Sequence, residues 1–466
     1  MSGWQAILRR RCIVISEQQE PLQARNRRPN DFSRRRFLER AIALGIGSSA
    51  ALTLLDACGS IASASGGHTP LVYWNLLGGG DGVRMVAMEN MFSKANPAIQ
   101  LQAVTLAWGA PYYTKLAMSA AGGRPPDVAI SHITRVAAFA QEGLFEPFDL
   151  NELAQYGITA DKFLPLTWQR GHYNGKLYAI PLDTHPIVSY YNVDICKKAG
   201  LLDANGVLKP MDSPEAVIDA LQQVKRVTGN WGVVFETNGV TVWRLFYTFY
   251  SQLGGKVLTP DGKTLILDDN KAVQALTFLS DLFTKSKVAA PTIDYAGSVA
   301  LFGSGKSAFF WEGEWEVTTF EGIKMNFNMV PFPNVFGQYF VQADSHSFVL
   351  PHQASVDPDR RAAALLFISS ILKNSLTWAE GGHIPAYQPV VESTPYKQLK
   401  PQSNYASSAS NAIIDPIAWF SGSGSQLESE ATSAMQPTLN GQFTPQQGVD
   451  KFRAALQKLL SIPPPL

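Results

Sequence analysis

The sequence predicts an α/β fold built as two large lobes. Three observations carry this. Strand-like and helix-like segments alternate between residues 71 and 130 at the spacing of parallel α/β units. About 400 residues remain once the N-terminal segment is set aside, enough for two compact cores. Finally, two polar runs, Asp183-Thr184-His185 and Asp344-Ser345-His346, interrupt otherwise apolar extended stretches, as expected where a chain passes between lobes.

Residues 1–57 are set apart first. Ser33-Arg34-Arg35-Arg36-Phe37-Leu38 resembles the twin-arginine export signal. The uncharged run from Ala41 to Leu55 is short for a bilayer-spanning helix and is broken by Gly45, Gly47 and Ser48-Ser49. Leu55-Asp56-Ala57-Cys58 then resembles a bacterial lipobox, in which the cysteine becomes the lipid-bearing first residue. Asp56 departs from the small or apolar residue usual there, so a plain signal or a membrane-anchoring helix stays open. Upstream, Arg9-Arg10-Arg11 and Arg25-Asn26-Arg27-Arg28 show no apolar periodicity: either the basic region is long or the true start lies further downstream. The segment implies export to the cell surface or periplasm, with a lipid at Cys58 holding the chain on the outer face of the membrane.

Ten of the 39 basic residues but only five of the 38 acidic ones precede Cys58, which leaves the remainder at a net charge of −4. A nucleic-acid binder needs a basic footprint, so that class is excluded. Beyond the signal the only cysteines are Cys58 and Cys196, and acylation of the first leaves no internal disulfide. Core packing must therefore stabilise the exported body. Residues 58–69, rich in Gly, Ser and Ala, read as a flexible tether.

The elements follow in order. Leu71 to Asn75 is a short apolar strand, and Gly78-Gly79-Gly80-Asp81-Gly82 reads as a glycine loop after it. Met85, Met88 and Phe92 share one helical face over residues 83–95, and Pro97 closes that segment. Ile99 to Ala103 alternates as a half-buried strand, a helix starts near Pro111, and Asp127 to Ile130 is a third strand. Ser213-Pro214 and Asp357-Pro358 each set a cap before a first-turn proline, and Gly229 ends the first of these helices. Asp268 or Asp269 caps a helix bearing Val273, Leu276, Leu279 and Phe283, and residues 449–460 form a last amphipathic helix.

Two phosphate-binding motifs are near misses. Gly80-Asp81-Gly82 lacks the third glycine of a dinucleotide loop, since residue 85 is Met. Gly305-Lys306-Ser307 lacks the distal glycine of a P-loop, since residue 300 is Ala, and it precedes a strand where a P-loop precedes a helix. There is no HExxH, no CxxC pair and no nucleophile elbow, and the seven histidines are scattered along the chain.

Aromatic residues are the stronger signal. Trp74, Trp108, Trp243, Trp311, Trp315 and Trp419 lie mostly near glycines or element ends. Each alone suits a core; as a set they suggest a cleft whose flat faces would stack on sugar rings or attract a quaternary ammonium group. Within Ala308-Phe-Phe-Trp-Glu-Gly-Glu-Trp-Glu316, Glu312 and Glu314 have three readings. They accept hydroxyl hydrogens, they form an acid–base pair of a glycoside hydrolase, or they are solvated glutamates at a strand end.

The chain beyond residue 70 resembles the extracellular solute-binding proteins of ABC importers, in the large sugar-binding group that includes maltose-binding protein. The resemblance rests on the order of "YWN" with its glycines, "GRPPDVAI" at 123–130, "GKLYAIPLDTHPIVSYYN" at 175–192, "GSGKSAFFWEGEW" at 303–315 and "GGHIPAY" at 381–387. It implies a periplasmic-binding-protein-like fold with a ligand cleft between the lobes. Lobe 1 would take residues 70–182 and 346–405, and lobe 2 residues 183–345 and 406–466. It further implies a ligand site of Gly80, Asp81, Trp108, His132, Asp183, Trp243, Glu312, Trp315, His346 and Trp419, with Trp315 as the stacking platform. The implied function is capture of a sugar or oligosaccharide by lobe closure and delivery to an ABC permease and its ATPase. No cofactor, no metal and no catalysis are implied, and the family is usually monomeric. A glycerophosphodiester such as glycerophosphocholine is the alternative ligand, and a secreted carbohydrate-active enzyme the alternative class.

Overall fold

The computed structural model describes residues 67–464. The signal, Cys58 and most of the tether lie outside the described residues. No helix among the described residues is long and apolar enough to cross a membrane.

In chain order the strands are β1 (Thr69–Asn75), β2 (Ile99–Thr105), β3 (Val128–His132), β4 (Phe145–Glu146), the hairpin β5 (His172–Tyr173) with β6 (Lys176–Leu177), and β7 (Ala179–Pro181). Then come β8 (Asp183–Asn192), β9 (Trp231–Val234), β10 (Ser307–Gly313), β11 (Phe327–Pro331), β12 (Val341–Asp344), β13 (His346–Pro351), β14 (Ile384–Pro385) and β15 (Ala412–Ile413). They form two main sheets. The first runs β2-β1-β3-β13-β4, with β7 also on β13; the second runs β15-β12-β8-β10-β9, with β11 and β14 also on β8. β1 pairs parallel with β2 and β3, as the strand–helix alternation requires, whereas β13 is antiparallel to β3. A returning chain inserted into a parallel sheet must run the other way when it arrives from the second lobe.

The second sheet is covered on both faces. Ile187 and Tyr191 of β8, with Phe309 and Trp311 of β10, join one core, while Val188, Tyr190 and Phe310 join another on the opposite face. This is the two-residue period of a strand buried on both sides, and it explains the unbroken apolar run there. β2 is the edge of the first sheet, and its residues 102–105 are exposed, so it is more open than the alternation of Ile99 to Ala103 suggested.

The helix caps follow the local sequence. Ser213 caps Pro214–Thr228, which Gly229 ends in the left-handed conformation. Asp268 caps Asp269–Thr284, and Asp357 caps Pro358–Lys373. Thr444 and Gln447 form a reciprocal capping box at Pro445–Ser461. The glycine run corrects its sequence reading as a loop: Gly78 is the cap, and Gly79 to Gly82 already form the first turn of the helix Gly79–Ala95. Small residues are needed because a Cβ on Gly80 would lie 2.3 Å from Thr318 Oγ1, and one on Gly82 2.8 Å from the Leu77 carbonyl oxygen.

The chain passes between the two sheets at three adjacent places: Leu182, between β7 and β8; Ser345, between β12 and β13; and Gly382-His383, leading into β14. The passages bond to one another, since Leu182 N–H donates to His346 and Ala386 N–H donates to Leu182. The third passage precedes the boundary expected at residue 405. Tyr405 and Ala409 pack with β8 and β10 because β14 has already joined the second sheet.

Candidate ligand-binding cleft

A cavity of about 550 Å³ opens where the sheets face each other. The first lobe lines it with Leu76, Leu77, Gly78, Asp81, Trp108 and His132, and the second with His185, Glu236, Thr241, Arg244, Tyr295 and Trp315. His346 contributes from the second passage.

Trp315 is held on several sides. Its Nε1 donates to the Tyr295 hydroxyl at 2.7 Å, and that hydroxyl donates to Glu316. The Arg244 guanidinium lies 5.3 Å from the indole centroid. The ring folds back over Gly313, where a Cβ would come within 1.9 Å of it. Across the cavity, Trp108 is 46 % exposed and meets the edge of His132.

The base of the cleft is a set of imidazoles organised by one carboxylate. Asp183, fully buried, accepts from His185 Nδ1 at 3.0 Å, His346 Nδ1 at 2.8 Å, the His346 N–H at 2.8 Å and Trp378 Nε1 at 2.8 Å. Burial alone would raise its pKa, but His346 and His185 outweigh burial and hold it well below the carboxylate range. An ionised Asp183 gives no proton, so both imidazoles donate from Nδ1. Burial, then His346, push His185 down to about 4. Burial, with His346 and His185 beside it, holds His132 well below the usual imidazole range. His185 and His132 are therefore neutral at pH 7, and His185 leaves its Nε2 lone pair free.

The cleft's cation is balanced. Arg244 loses from burial but stays charged because Glu428, Glu312, Glu236 and Asp415 surround it. Glu312 accepts from Thr241 Oγ1 at 2.8 Å and stands 3.6 Å from Arg244. Such a site presents a flat aromatic face, neutral hydrogen-bond acceptors and carboxylates, with no uncompensated positive charge.

The bacterial extracellular solute-binding protein model matches residues 74–349, more than half of the chain. The chain belongs to the bacterial extracellular solute-binding protein family.

This solute-binding protein is 31 % identical over 247 residues to the arabinooligosaccharide-binding protein of Bacillus subtilis (strain 168), covering 52 % of this chain and 54 % of the relative. It is 22 % identical over 276 residues to a maltooligosaccharide ABC transporter solute-binding lipoprotein of Streptococcus pneumoniae (strain ATCC BAA-255 / R6), covering 58 % and 62 %. The match therefore spans little more than half the length of these curated relatives. Among solved structures it resembles the GacH receptor of Streptomyces glaucescens GLA.O, with TM-score 0.72, 21 % identity and coverage of 84 % and 98 %. It also resembles the Listeria monocytogenes ABC substrate-binding protein Lmo0181 in complex with cycloalternan, with TM-score 0.71, 21 % identity and coverage of 85 % and 100 %. Both likenesses place the two-lobed α/β fold.

Of the residues expected at the site, Asp81, Trp108, His132, Trp315 and His346 line the cavity of the solute-binding protein. The other five lie elsewhere. Trp243 is fully buried in the second lobe, stacked on Tyr247 and donating to Asp415 at 3.1 Å. Trp419 packs on the edge of the same core. Asp183 and Glu312 sit one layer behind the surface, holding His185 and Thr241. Gly80 packs against Thr318. Arg244, the one basic residue the resemblance brings to the site, is at the wall, and so are His185, Glu236, Thr241 and Tyr295, which the sequence expectation omitted. Of these four only His185 has a local signal, in the polar run that begins β8. The histidines that look scattered in the sequence are gathered by the fold: the His346 ring meets those of His132, His185 and His383 at 4.9, 4.4 and 5.4 Å.

Proposed function

We propose that this solute-binding protein captures a neutral sugar or oligosaccharide for an ABC importer. The observation that carries the reading is the Trp315 indole, fixed by Tyr295 in a cavity shared by both lobes, with neutral imidazoles beside it. A pyranose or furanose ring stacks its C–H face on the indole and donates hydroxyl hydrogens to His185, His346, Asp81 and Glu236. Ligand that touches both lobes only when they close stabilises the closed state, and a permease with its ATPase then reads that closed surface. The oligosaccharide-binding relatives support this ligand class. The exported body is held near its transporter by a lipid at Cys58 after twin-arginine export, and acts as a monomer.

The reading is binding without turnover. It is supported by Glu312, which is bonded to Thr241 and paired with Arg244, and by Glu314, which is buried and paired with His383. A thermal-shift panel of disaccharides, arabino- and malto-oligosaccharides and glycerophosphocholine tests the ligand class, because a ligand bound only by the folded state raises Tm. A shift with an oligosaccharide recovered intact supports the proposal. A shift with glycerophosphocholine alone replaces the ligand, and new reducing ends replace binding with catalysis. Detergent partitioning that is lost in Cys58→Ala tests the lipid.

A further inference from the structure

The three passages between the lobes end in one cluster of donor atoms. The first contributes Asp183 and His185, the second His346, and the third His383. One donor atom from each lies within 4.8 Å of every other, and all four residues are buried. The Nδ1 atoms of His185, His346 and His383 stand 3.0, 2.8 and 3.4 Å from the Asp183 carboxylate. Donors at metal-bond lengths of about 2.0–2.2 Å sit roughly 3.4 Å apart around a tetrahedral ion, so to hold one the shortest Asp183 contacts lengthen and any wider donor separations close.

A second observation points the same way. Glu314 is fully buried, yet neither carboxylate oxygen has a hydrogen-bond partner. Its Oε1 stands 3.0 Å from His383 Nδ1, an ion-pair distance, which leaves Oε2 without a partner. Buried polar groups are rarely left unpaired, and an ion beside the pair is one way to satisfy the remaining oxygen. Support behind the cluster is present too. His383 Nε2 is 2.9 Å from Asp81 Oδ1, the carboxylate–histidine arrangement that orients metal ligands. Trp378 stacks on His383 with centroids 4.3 Å apart and donates to Asp183.

We infer that this cluster is a divalent transition-metal site, of the zinc class, ligated by His185, His346, His383 and Asp183 with Glu314 as counter-charge or fifth ligand. Imidazole and carboxylate donors without thiolate select zinc, nickel or cobalt over calcium or magnesium. The ion enters through the cleft, since His185 and His346 line it. It would fasten all three passages at one point and so set how freely the lobes open. It would also move the proton of neutral His185 from Nδ1 to Nε2, turning a cleft acceptor into a donor. Metal loading would thereby change which sugar hydroxyl arrangement the site prefers.

The test is a titration of the chelator-treated full chain with Co²⁺, followed by displacement with Zn²⁺. One Co²⁺ per chain, with visible ligand-field absorption lost on adding Zn²⁺, is expected. His383→Ala should weaken binding by more than about 100-fold, and Asp81→Asn, which removes an outer-shell partner, by about 10–100-fold. His352→Ala, just past the opposite end of β13 from His346, should leave it unchanged. Absence of the absorption band in the unmutated chain overturns the inference and leaves the cluster as a protonated hydrogen-bond network. So does a band that survives His383→Ala in a folded variant or disappears in His352→Ala, because the ion would then be at the surface. The outcome is independent of the sugar panel, so the two readings fail separately.

Discussion

The Trp315 indole nitrogen donates to the Tyr295 hydroxyl at 2.7 Å, and this bond sets which way the indole plane faces in the cleft. Trp315→Ala removes the platform and should weaken sugar binding by about tenfold or more, ~1.4 kcal/mol per decade. Tyr295→Phe keeps the ring but frees the indole to rotate. Its effect should be a smaller loss, about 0.5–1.5 kcal/mol, the size of one hydrogen bond. Isothermal titration of both variants orders them; equal losses would show that orientation, not stacking area, dominates.

Gly313 makes room for that indole. Gly313→Ala places a methyl group where the ring lies, at 1.9 Å. β10 ends there, so the strand should survive while Trp315 is displaced. Sugar affinity should fall at least as far as in Trp315→Ala, with little change in Tm, read by titration and a melt on the same sample.

Trp243 should behave in the opposite way. It is buried among Phe246, Tyr247 and Phe452, with its nitrogen on Asp415. Trp243→Ala should destabilise the fold by ~3–5 kcal/mol through the cavity left behind. At temperatures where the variant is folded, its sugar Kd should match that of the unmutated chain. A selective loss of affinity would return Trp243 to the binding surface.

Stability should fall as pH rises toward 8. Glu428 accepts from the Gly424 N–H at 2.7 Å and lies near Arg244, Asp415 and Asp344. Burial is the largest influence on it, Arg244 opposes it, and the carboxyl is pushed from the ordinary 4.5 up to about 8. The folded state thus keeps a proton that the unfolded chain releases. The associated stability is fully present below pH 4.5, declines above it and is gone once pH passes 8. Glu428→Gln, which preserves an acceptor for Gly424, should flatten the decline in Tm between pH 5 and about 8.

Helix starts, strand periodicity and chain passages were legible because they depend on neighbours in sequence. Asp268, Asp357 and Ser213 cap helices since their side-chain oxygens reach backbone N–H groups two or three residues on. The polar runs at 183–185 and 344–346 marked two passages because a buried strand tolerates such residues only where partners converge. The third passage, at Gly382-His383, carries no such interruption and is not marked by local pattern.

The site was legible by type more than by position. A tryptophan on a buried helix face and one on a cleft wall look alike in sequence. Trp243 and Trp315 differ because the helix Thr241–Gln252 turns the first into the core, while Gly313 lets the second fold outward over the strand end. The four-histidine base draws on residues from 132 to 383, a separation at which no local spacing survives. Composition and local pattern were therefore enough for an exported, two-lobed α/β chain with a cleft rich in aromatics and acids. Which of those residues face the cleft, and that Asp183 gathers three imidazoles behind it, was set by long-range packing, because burial and contact depend on where distant segments meet.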